Sequence, residues 1–303
     1  MSIFPTNILL ATDGSEDAKF AARVAVDLTK RTGAELHVSH AWRPLPHYAY
    51  PSLVPEKYHP PYEEGARSLL DEQVNRIERA GGIVAESHLV TGRTAEAIVD
   101  LGEEIDAGLI VVGSRGHGPV GRLVMGSVSE GVVHHAHCPV LVVRGGEEAW
   151  PPQRIVIGDD GSGPARRTGE LAAAIVKLVE AEVTLVRAYE NPPEPIGGWS
   201  AQDRRELDEV LSRERQALQE RAEELVAIAG SRPEIRLIET EPTLAMLMVA
   251  EQGGEESTLI AVGSRGLGAA KRTILGSVST KALRVAGGPI LVCPDSMSRR
   301  SQA

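Results

Sequence analysis

Short apolar runs alternate along the chain with longer segments whose apolar residues return every three or four positions. In the first half, strand-like runs fall near 6–12, 34–41, 83–90, 108–113 and 139–144, and helix-like segments fill the intervals. Segment 15–32 is typical of the latter. Ala18, Ala21, Ala22, Ala25 and Leu28 share one helical face, Ser15 stands where a cap belongs, and Gly33 stands where the helix should stop. The strand-like runs are rich in Val, Ile and Leu, as expected of strands buried on both faces. Their alternation with helices is the signature of a parallel sheet with crossover connections.

The pattern occurs twice. Ile8, Leu9, Leu10, Ala11, Thr12, Asp13, Gly14 and Ser15 match Ile155, Val156, Ile157, Gly158, Asp159, Asp160, Gly161 and Ser162 at an offset of 147 residues. Val111 to Gly116 and Leu123 to Ser129 return as Ala261 to Gly266 and Thr273 to Ser279 at an offset of 150. Motifs recurring in the same order with so small a drift indicate a duplicated domain, and two copies make a tandem rather than a solenoid. The expected layout is domain one over 1–146, a Pro-bearing linker over 147–153, domain two over 154–295, and a tail over 296–303. A helix near 201–229 lines up Leu207, Leu211, Leu218 and Leu225. Its remaining Arg and Glu residues read as a solvated face.

Composition narrows the function classes. The 303 residues are 42% hydrophobic but only 3% aromatic, so the core must be aliphatic. A net charge of -10 argues against nucleic acid as a partner, because that affinity rests on phosphate neutralisation, and any anion site must be local. Two cysteines, Cys138 and Cys293, give neither a disulfide framework nor metal-type spacing and fit a reducing compartment. No secretory signal or membrane span is visible, so the expectation is a cytoplasmic protein.

The chemistry concentrates in a glycine constellation. Each half holds Gly-x-x-Gly, nine residues, then Gly-Ser: Gly113, Gly116, Gly126 and Ser127, and again Gly263, Gly266, Gly276 and Ser277. The first pair closes a buried strand, where glycine allows positive φ and close approach of backbone to ligand. The second pair opens a helix from Val128 to His135, whose N–H groups and dipole favour phosphate, with Ser127 and Ser129 as hydroxyl donors or caps. Gly121 and Gly126 have Walker-type spacing, but Ser127 stands where that motif needs Lys. A dinucleotide fingerprint after the first strand is absent, since Asp13-Gly14-Ser15 stands there.

The first-strand Asp, the Gly-x-x-Gly-x9-Gly-Ser loop and the duplicated five-strand plan resemble a tandem universal stress protein of the ATP-binding type, over nearly the whole chain. The resemblance implies two tandem doubly wound five-stranded parallel sheets of strand order 3-2-1-4-5, of the adenine nucleotide alpha hydrolase-like kind. It implies ATP in each half, with magnesium carried by the phosphates. By the same resemblance Asp13 and Asp160 lie near the adenosine, and the main chain of Ala41 and Ala188 lies against the adenine edge. Val112, Gly113, Arg115, Gly116, Gly126, Ser127, Val128 and Ser129 line ribose and phosphates. Gly263, Arg265, Gly266, Gly276, Ser277, Val278 and Ser279 are their counterparts. The independent rule that open α/β sheets bind ligands beyond strand carboxyl ends, at the switch in strand order, selects the same place. The two halves are expected to pair through their last strands as an intrachain pseudo-dimer, and whole chains can dimerise in turn.

Other features stand outside the motif. Arg122 and Arg272 share the 150 offset and could offset phosphate charge, and Trp42 and Tyr189 follow the two alanines and could shield a nucleotide or pack locally. The loop 43–62 holds six prolines and four of the five tyrosines, consistent with either a contact surface or a cover. His134, His135, His137 and Cys138 suggest a metal, but their counterparts Arg284, Val285, Gly287 and Gly288 argue against one. Thr12 becomes Asp159, a carboxylate that could repel phosphate or help hold a cation, and Gly92 aligns with Glu241, changing a turn. The leading expectation is a nucleotide-dependent stress-response sensor or regulator with at most slow ATP hydrolysis, since the motif supplies no evident nucleophile or His base. The alternatives are an ATP-using hydrolase or transferase and a nucleotide-free interaction scaffold.

Overall fold

The apolar runs form strands and the periodic segments form helices. In the first half these are β1 (Asn7–Ala11), α1 (Glu16–Thr32), β2 (Glu35–Trp42), α2 (His59–Arg79), β3 (Glu86–Thr91), α3 (Thr94–Glu104), β4 (Leu109–Gly113), α4 (Ser127–His135) and β5 (Val140–Val143). The second half repeats them as β6 (Arg154–Gly158), α5 (Gly163–Val179), β7 (Glu182–Tyr189), α6 (Ala201–Ala229), β8 (Glu234–Glu239), α7 (Pro242–Glu251), β9 (Thr258–Gly263), α8 (Ser277–Val285) and β10 (Ile290–Cys293). The computed structural model describes residues 3–43, 59–116, 125–192, 198–252, 257–264, 266 and 275–295, with the backbone alone for 59–62. Segment 44–58, which holds most of the Pro- and Tyr-rich loop, lies outside the described residues. That loop gives way to helix at His59, with Pro60 and Pro61 in the first turn, where a missing N–H leaves no hydrogen bond unmade.

Local chemistry sets the helix ends. The Ser15 side chain accepts from the Ala18 N–H, and Gly33, left-handed at φ 74°, donates its N–H to the Thr29 carbonyl. Ser162 caps α5 in the same way, and α6 opens on a reciprocal capping box between Ser200 and Asp203.

The strand order is β3-β2-β1-β4-β5-β10-β9-β6-β7-β8. Each half therefore reads 3-2-1-4-5, with parallel neighbours throughout. The last strands meet antiparallel, with Leu291 opposite Leu141, so two five-stranded sheets become one ten-stranded sheet. The register drift has a location: β3 and β8 differ by 148 residues, and β4 and β9 reach 150 at Gly113 and Gly263.

Because strand side chains alternate, the sheet has two apolar faces, and each runs through both halves. Ile8, Leu10, Leu36, Leu141, Ile155, Ile157 and Leu291 share one core with residues of α1, α2, α5 and α6. Leu9, Ile110, Val140, Val156, Ile260 and Val292 share the other with residues of α3, α4, α7 and α8. The largest fully buried side chains are all Leu or Ile, each worth about 1.5–3 kcal/mol, so the shortage of aromatics leaves no deficit.

The connection between halves is packed rather than loose. Ala149 is fully buried, and the Trp150 indole donates to Asp27 at 2.9 Å. Arg144 reaches across to the end of α8, donating to the carbonyls of Ala286 and Leu283 at 2.8 Å each.

Candidate functional site

β1 and β4 end side by side, with Ala11 paired to Val112, and the chain then departs toward opposite faces of the sheet. This opens a crevice at the switch in strand order. At its floor the Asp13 Oδ1 accepts from the Ser15 N–H at 3.0 Å, and Gly14 turns at φ 79°. Asp160, Ser162 and Gly161 repeat the arrangement, again at 3.0 Å and 79°.

The loop glycines serve close approach, not positive φ. A Cβ on Gly113 would stand 2.7 Å from the Asp17 carbonyl carbon and 2.8 Å from the Ala18 nitrogen, so α1 packs directly on the strand end. Gly263 meets Pro164 and Ala165 in the same way, at 2.9 and 3.1 Å. A Cβ on Gly116 or Gly266 would collide with the carboxylate of Asp13 or Asp160. None of these four takes the left-handed conformation expected of the motif; it falls instead to Gly14 and Gly161.

The helix starts also differ from expectation. Gly126 (φ −69°) and Gly276 (φ −64°) are the N-caps, and neither α4 nor α8 has a side-chain cap. The Ser129 hydroxyl instead donates to the Gly113 carbonyl at 2.7 Å, and the Ser279 hydroxyl donates to Gly263 at 2.6 Å. These serines latch helix to strand, which spends their donors. What the helix presents to the crevice is the uncapped first turn, where backbone N–H groups and dipole favour an anion.

A cavity of about 320 Å³ fills the first crevice. Asp13, Ala41, Val112, Gly113, Arg115, Gly116, Gly126, Ser127, Val128 and Ser129 all line it. A second, of about 380 Å³, is lined by Asp160, Ala188, Gly263, Gly266, Gly276, Ser277, Val278 and Ser279. Arg265, Arg122 and Arg272 lie outside the described residues. Both volumes fall within the range of small-molecule sites. Trp42 and Tyr189 line neither cavity.

Residues that the motif does not mark also contribute. Thr12, His40, Thr94 and Ile98 line the first cavity, and Gly158, Val186, Pro242 and Met246 line the second. Ile98 and Met246 sit on the inward faces of α3 and α7, where helical spacing alone marks them only as core. His40 Nδ1 lies 2.8 Å from the Thr12 carbonyl, so the ring donates there. Its counterpart at the 147 offset is Arg187, so no imidazole is shared between the sites.

The electrostatics differ between halves. The Arg115 guanidinium is held by Asp17, whose position in the second half is Pro164. Asp159 does not offer a bare carboxylate to phosphate or metal. It is buried against Arg187, with Arg221 at 3.8 Å, and its Oδ1 also accepts from the Gly161 N–H at 2.9 Å. Burial alone would lower the Arg187 pKa, but Asp159 and Glu214 raise it above the ordinary guanidinium range. Strand register also corrects one alignment. With Trp42 opposite Thr91 and Tyr189 opposite Glu239, Gly92 corresponds to Thr240, and Glu241 corresponds to Arg93. Glu241 caps α7 and pairs with Lys281 at 3.2 Å.

The sequence cluster at His134 to Cys138 is not assembled into a metal-binding group among the described residues. His137 pairs with Glu103 at 2.5 Å, and burial pushes the Cys138 thiol up to about 12. Cys293, also buried, is pushed up to about 12.

Among the described residues no helix is long and apolar enough to cross a membrane. The model of the universal stress protein family matches residues 5–144 and again 152–294. A universal stress protein of Mycobacterium tuberculosis is 30% identical over 249 residues, covering 78% of each chain. One from Mycolicibacterium smegmatis is 29% identical over 305 residues, covering 94% of this chain and 96% of the relative. The crystal structure of a universal stress protein from Archaeoglobus fulgidus superposes with a TM-score of 0.64 at 24% identity, covering 95% of this chain and 98% of that one. It shares the fold.

Proposed function

The chain belongs to the universal stress protein family, and on that premise we propose that each half binds ATP and that the protein acts as a nucleotide-dependent regulator in a stress response. One observation carries the reading. The same cavity occurs twice, each time between an Asp-Gly turn and the uncapped start of a nine-residue helix. The apolar end, with Ala41, Ile98 and Val112 in the first site and Ala188, Met246 and Val262 in the second, suits a planar base. The opposite end, with the first turn of α4 or α8, suits phosphate.

Magnesium fits as a passenger of the phosphates. Asp13 Oδ1 accepts from Ser15, and Asp159 is paired with arginine, so the ion would draw mainly on phosphate oxygens and water. The chain's own residues bind and orient. Among the described residues no nucleophile and base are brought together in both cavities, which favours a binding module over an ATP-using transferase or hydrolase. A cytoplasmic location accords with this role.

The test is to denature freshly purified protein and identify released small molecules by mass spectrometry, then titrate ATP into the stripped chain. About two equivalents of adenine nucleotide per chain are expected from the two cavities. No released nucleotide together with no calorimetric binding of ATP would overturn the reading.

A further inference from the structure

A second cluster of chemistry lies away from the cavities, at the edge of the sheet. His37 of β2 and His88 of β3 stack with ring centroids 5.4 Å apart and planes 25° apart. His37 Nδ1 stands 3.1 Å from His88 Nε2. Strand register creates the encounter: His37 lies opposite Glu86, and Ser39 lies opposite His88, so His37, Glu86 and His88 share one face as direct and diagonal neighbours. Glu86 comes to 3.9 Å of His88 Nε2, and Glu35 comes to 4.0 Å of His37 Nε2.

One ligating atom from each of His37, Glu86 and His88 lies within 4.8 Å of the others, the only such group among the described residues. The imidazoles are nearly buried, at 11% and 14% side-chain exposure, whereas the carboxylates, at 69% and 66%, face water and leave a path for an ion. Two imidazoles and a carboxylate form a mixed nitrogen and oxygen donor set of the kind zinc accepts with water as fourth ligand. Nitrogens about 2.05 Å from one tetrahedral ion stand about 3.3 Å apart, close to the separation here.

We propose that His37, Glu86 and His88 form a site for one divalent transition-metal ion of the zinc class, with Glu35 as a flanking carboxylate. The second half supplies an internal comparison. The matching positions hold Thr184, Glu234 and Arg236, and the Arg236 guanidinium pairs with Glu234 at 2.6 Å. There a side-chain cation neutralises the carboxylate, and no imidazole remains. The site is also distinct from the nucleotide cavity, because His37 lies four residues before Ala41 on β2, about 13 Å along the strand.

The experiment uses the full chain without an affinity tag, stripped of nucleotide and dialysed against chelator. Zinc is titrated by calorimetry and cobalt by its visible absorption. One ion per chain is expected, with binding that survives excess magnesium, since magnesium takes oxygen ligands. His37→Thr and His88→Arg place the second half's own residues in the site and so keep the fold, which metal-free thermal unfolding verifies. Each should weaken zinc by about 100-fold or more, since even outer-shell changes cost about 10–100-fold. His134→Asn with His135→Asn should leave the affinity unchanged. The proposal is overturned if the wild-type chain binds no zinc, if neither His37→Thr nor His88→Arg weakens it, or if the His134 and His135 changes abolish it.

Discussion

The Arg115 guanidinium donates two hydrogen bonds to the Asp17 carboxylate, from Nε to Oδ2 at 3.1 Å and from Nη2 to Oδ1 at 3.3 Å. The Ser114 hydroxyl adds a third to the same carboxylate at 2.6 Å. An arginine at the rim of the first cavity is thus already partnered, and phosphate must compete with Asp17 for it. Asp17→Asn is expected to tighten ATP at the first site by about two- to fivefold, the release of a partly exposed ion pair worth up to about 1 kcal/mol. Calorimetry reads this directly. A weaker first site would mean that Asp17 positions Arg115 rather than competing for it.

The twin turns at Asp13 and Asp160 permit the two sites to be separated. Asp13→Ala removes the acceptor for the Ser15 N–H and the carboxylate that faces Gly116, so it should empty the first cavity and leave the second filled. Nucleotide stoichiometry should fall from about two to about one per chain, and Asp160→Ala should mirror it. Retention of both equivalents in either variant would remove these residues from the site.

The glycines should divide into two classes. Gly113→Ala drives a Cβ to 2.7 Å from α1 backbone, which cannot rotate away, and should cost about 1–3 kcal/mol of stability. At Gly126 the nearest atoms to a new Cβ are the Ser114 carbonyl oxygen at 3.3 Å and the Arg115 Cα at 3.4 Å, and φ is −69°, so the backbone there must give by a few tenths of an ångström, far less than at Gly113. The methyl group would still stand at the mouth of the phosphate end. Gly126→Ala with Gly276→Ala is therefore expected to abolish ATP binding in a chain that still folds, with Gly126→Ala costing less stability than Gly113→Ala. Equal ATP affinity in the double variant would place the phosphates elsewhere.

This contrast also marks what a sequence can reveal. The strands and the caps Ser15 and Gly33 were legible because each rests on spacing within a short window, and the duplication because whole motifs return in the same order. The reason Gly113 is glycine was not, since the atoms it must avoid belong to a helix nearly a hundred residues earlier. Ser129 illustrates the same limit. At a helix start it reads as a cap or ligand donor, but its acceptor is a strand carbonyl sixteen residues upstream. The pairing of His37 with His88 needs the β2 and β3 register, which no periodicity supplies. The β3-to-β8 offset of 148 lies between the 147 and 150 of the flanking motifs, and only the strand register sets Glu241 against Arg93 rather than Gly92.

Asp159 is the least tolerant position of the second half. With side-chain exposure of 3%, it faces Arg187 and Arg221, and its removal strands two largely buried guanidinium groups. Glu214 and Glu224 still pair with them from the outer side, at 2.7 and 2.8 Å, which limits the damage. Asp159→Ala should therefore destabilise by about 3 kcal/mol, the lower end for breaking a buried pair. Denaturant unfolding measures it. Thr12→Asp in the first half, where His40 stands in place of Arg187, should also destabilise, whereas a neutral outcome there would show that the carboxylate does not depend on its partners.

Glu241 gives a pH signature. Slight burial opposes its charge, but hydrogen bonds from Thr243 and Leu244 and the nearby Lys281 prevail and hold its pKa below the ordinary 4.5. Protons therefore bind the unfolded chain more readily than the folded one in this window. The stability that Glu241 contributes is fully present above about pH 4.5 and is lost as pH falls through the lower folded value. Glu241→Gln keeps an acceptor for the Leu244 N–H but discards the charge. At neutral pH the variant should be less stable by up to about 1 kcal/mol, as for a mostly exposed pair, and the gap should close as pH falls below about 4.5. Urea midpoints for the two proteins across that range would test this, and a gap that persists undiminished in acid would assign the effect to hydrogen bonding at the cap rather than to charge.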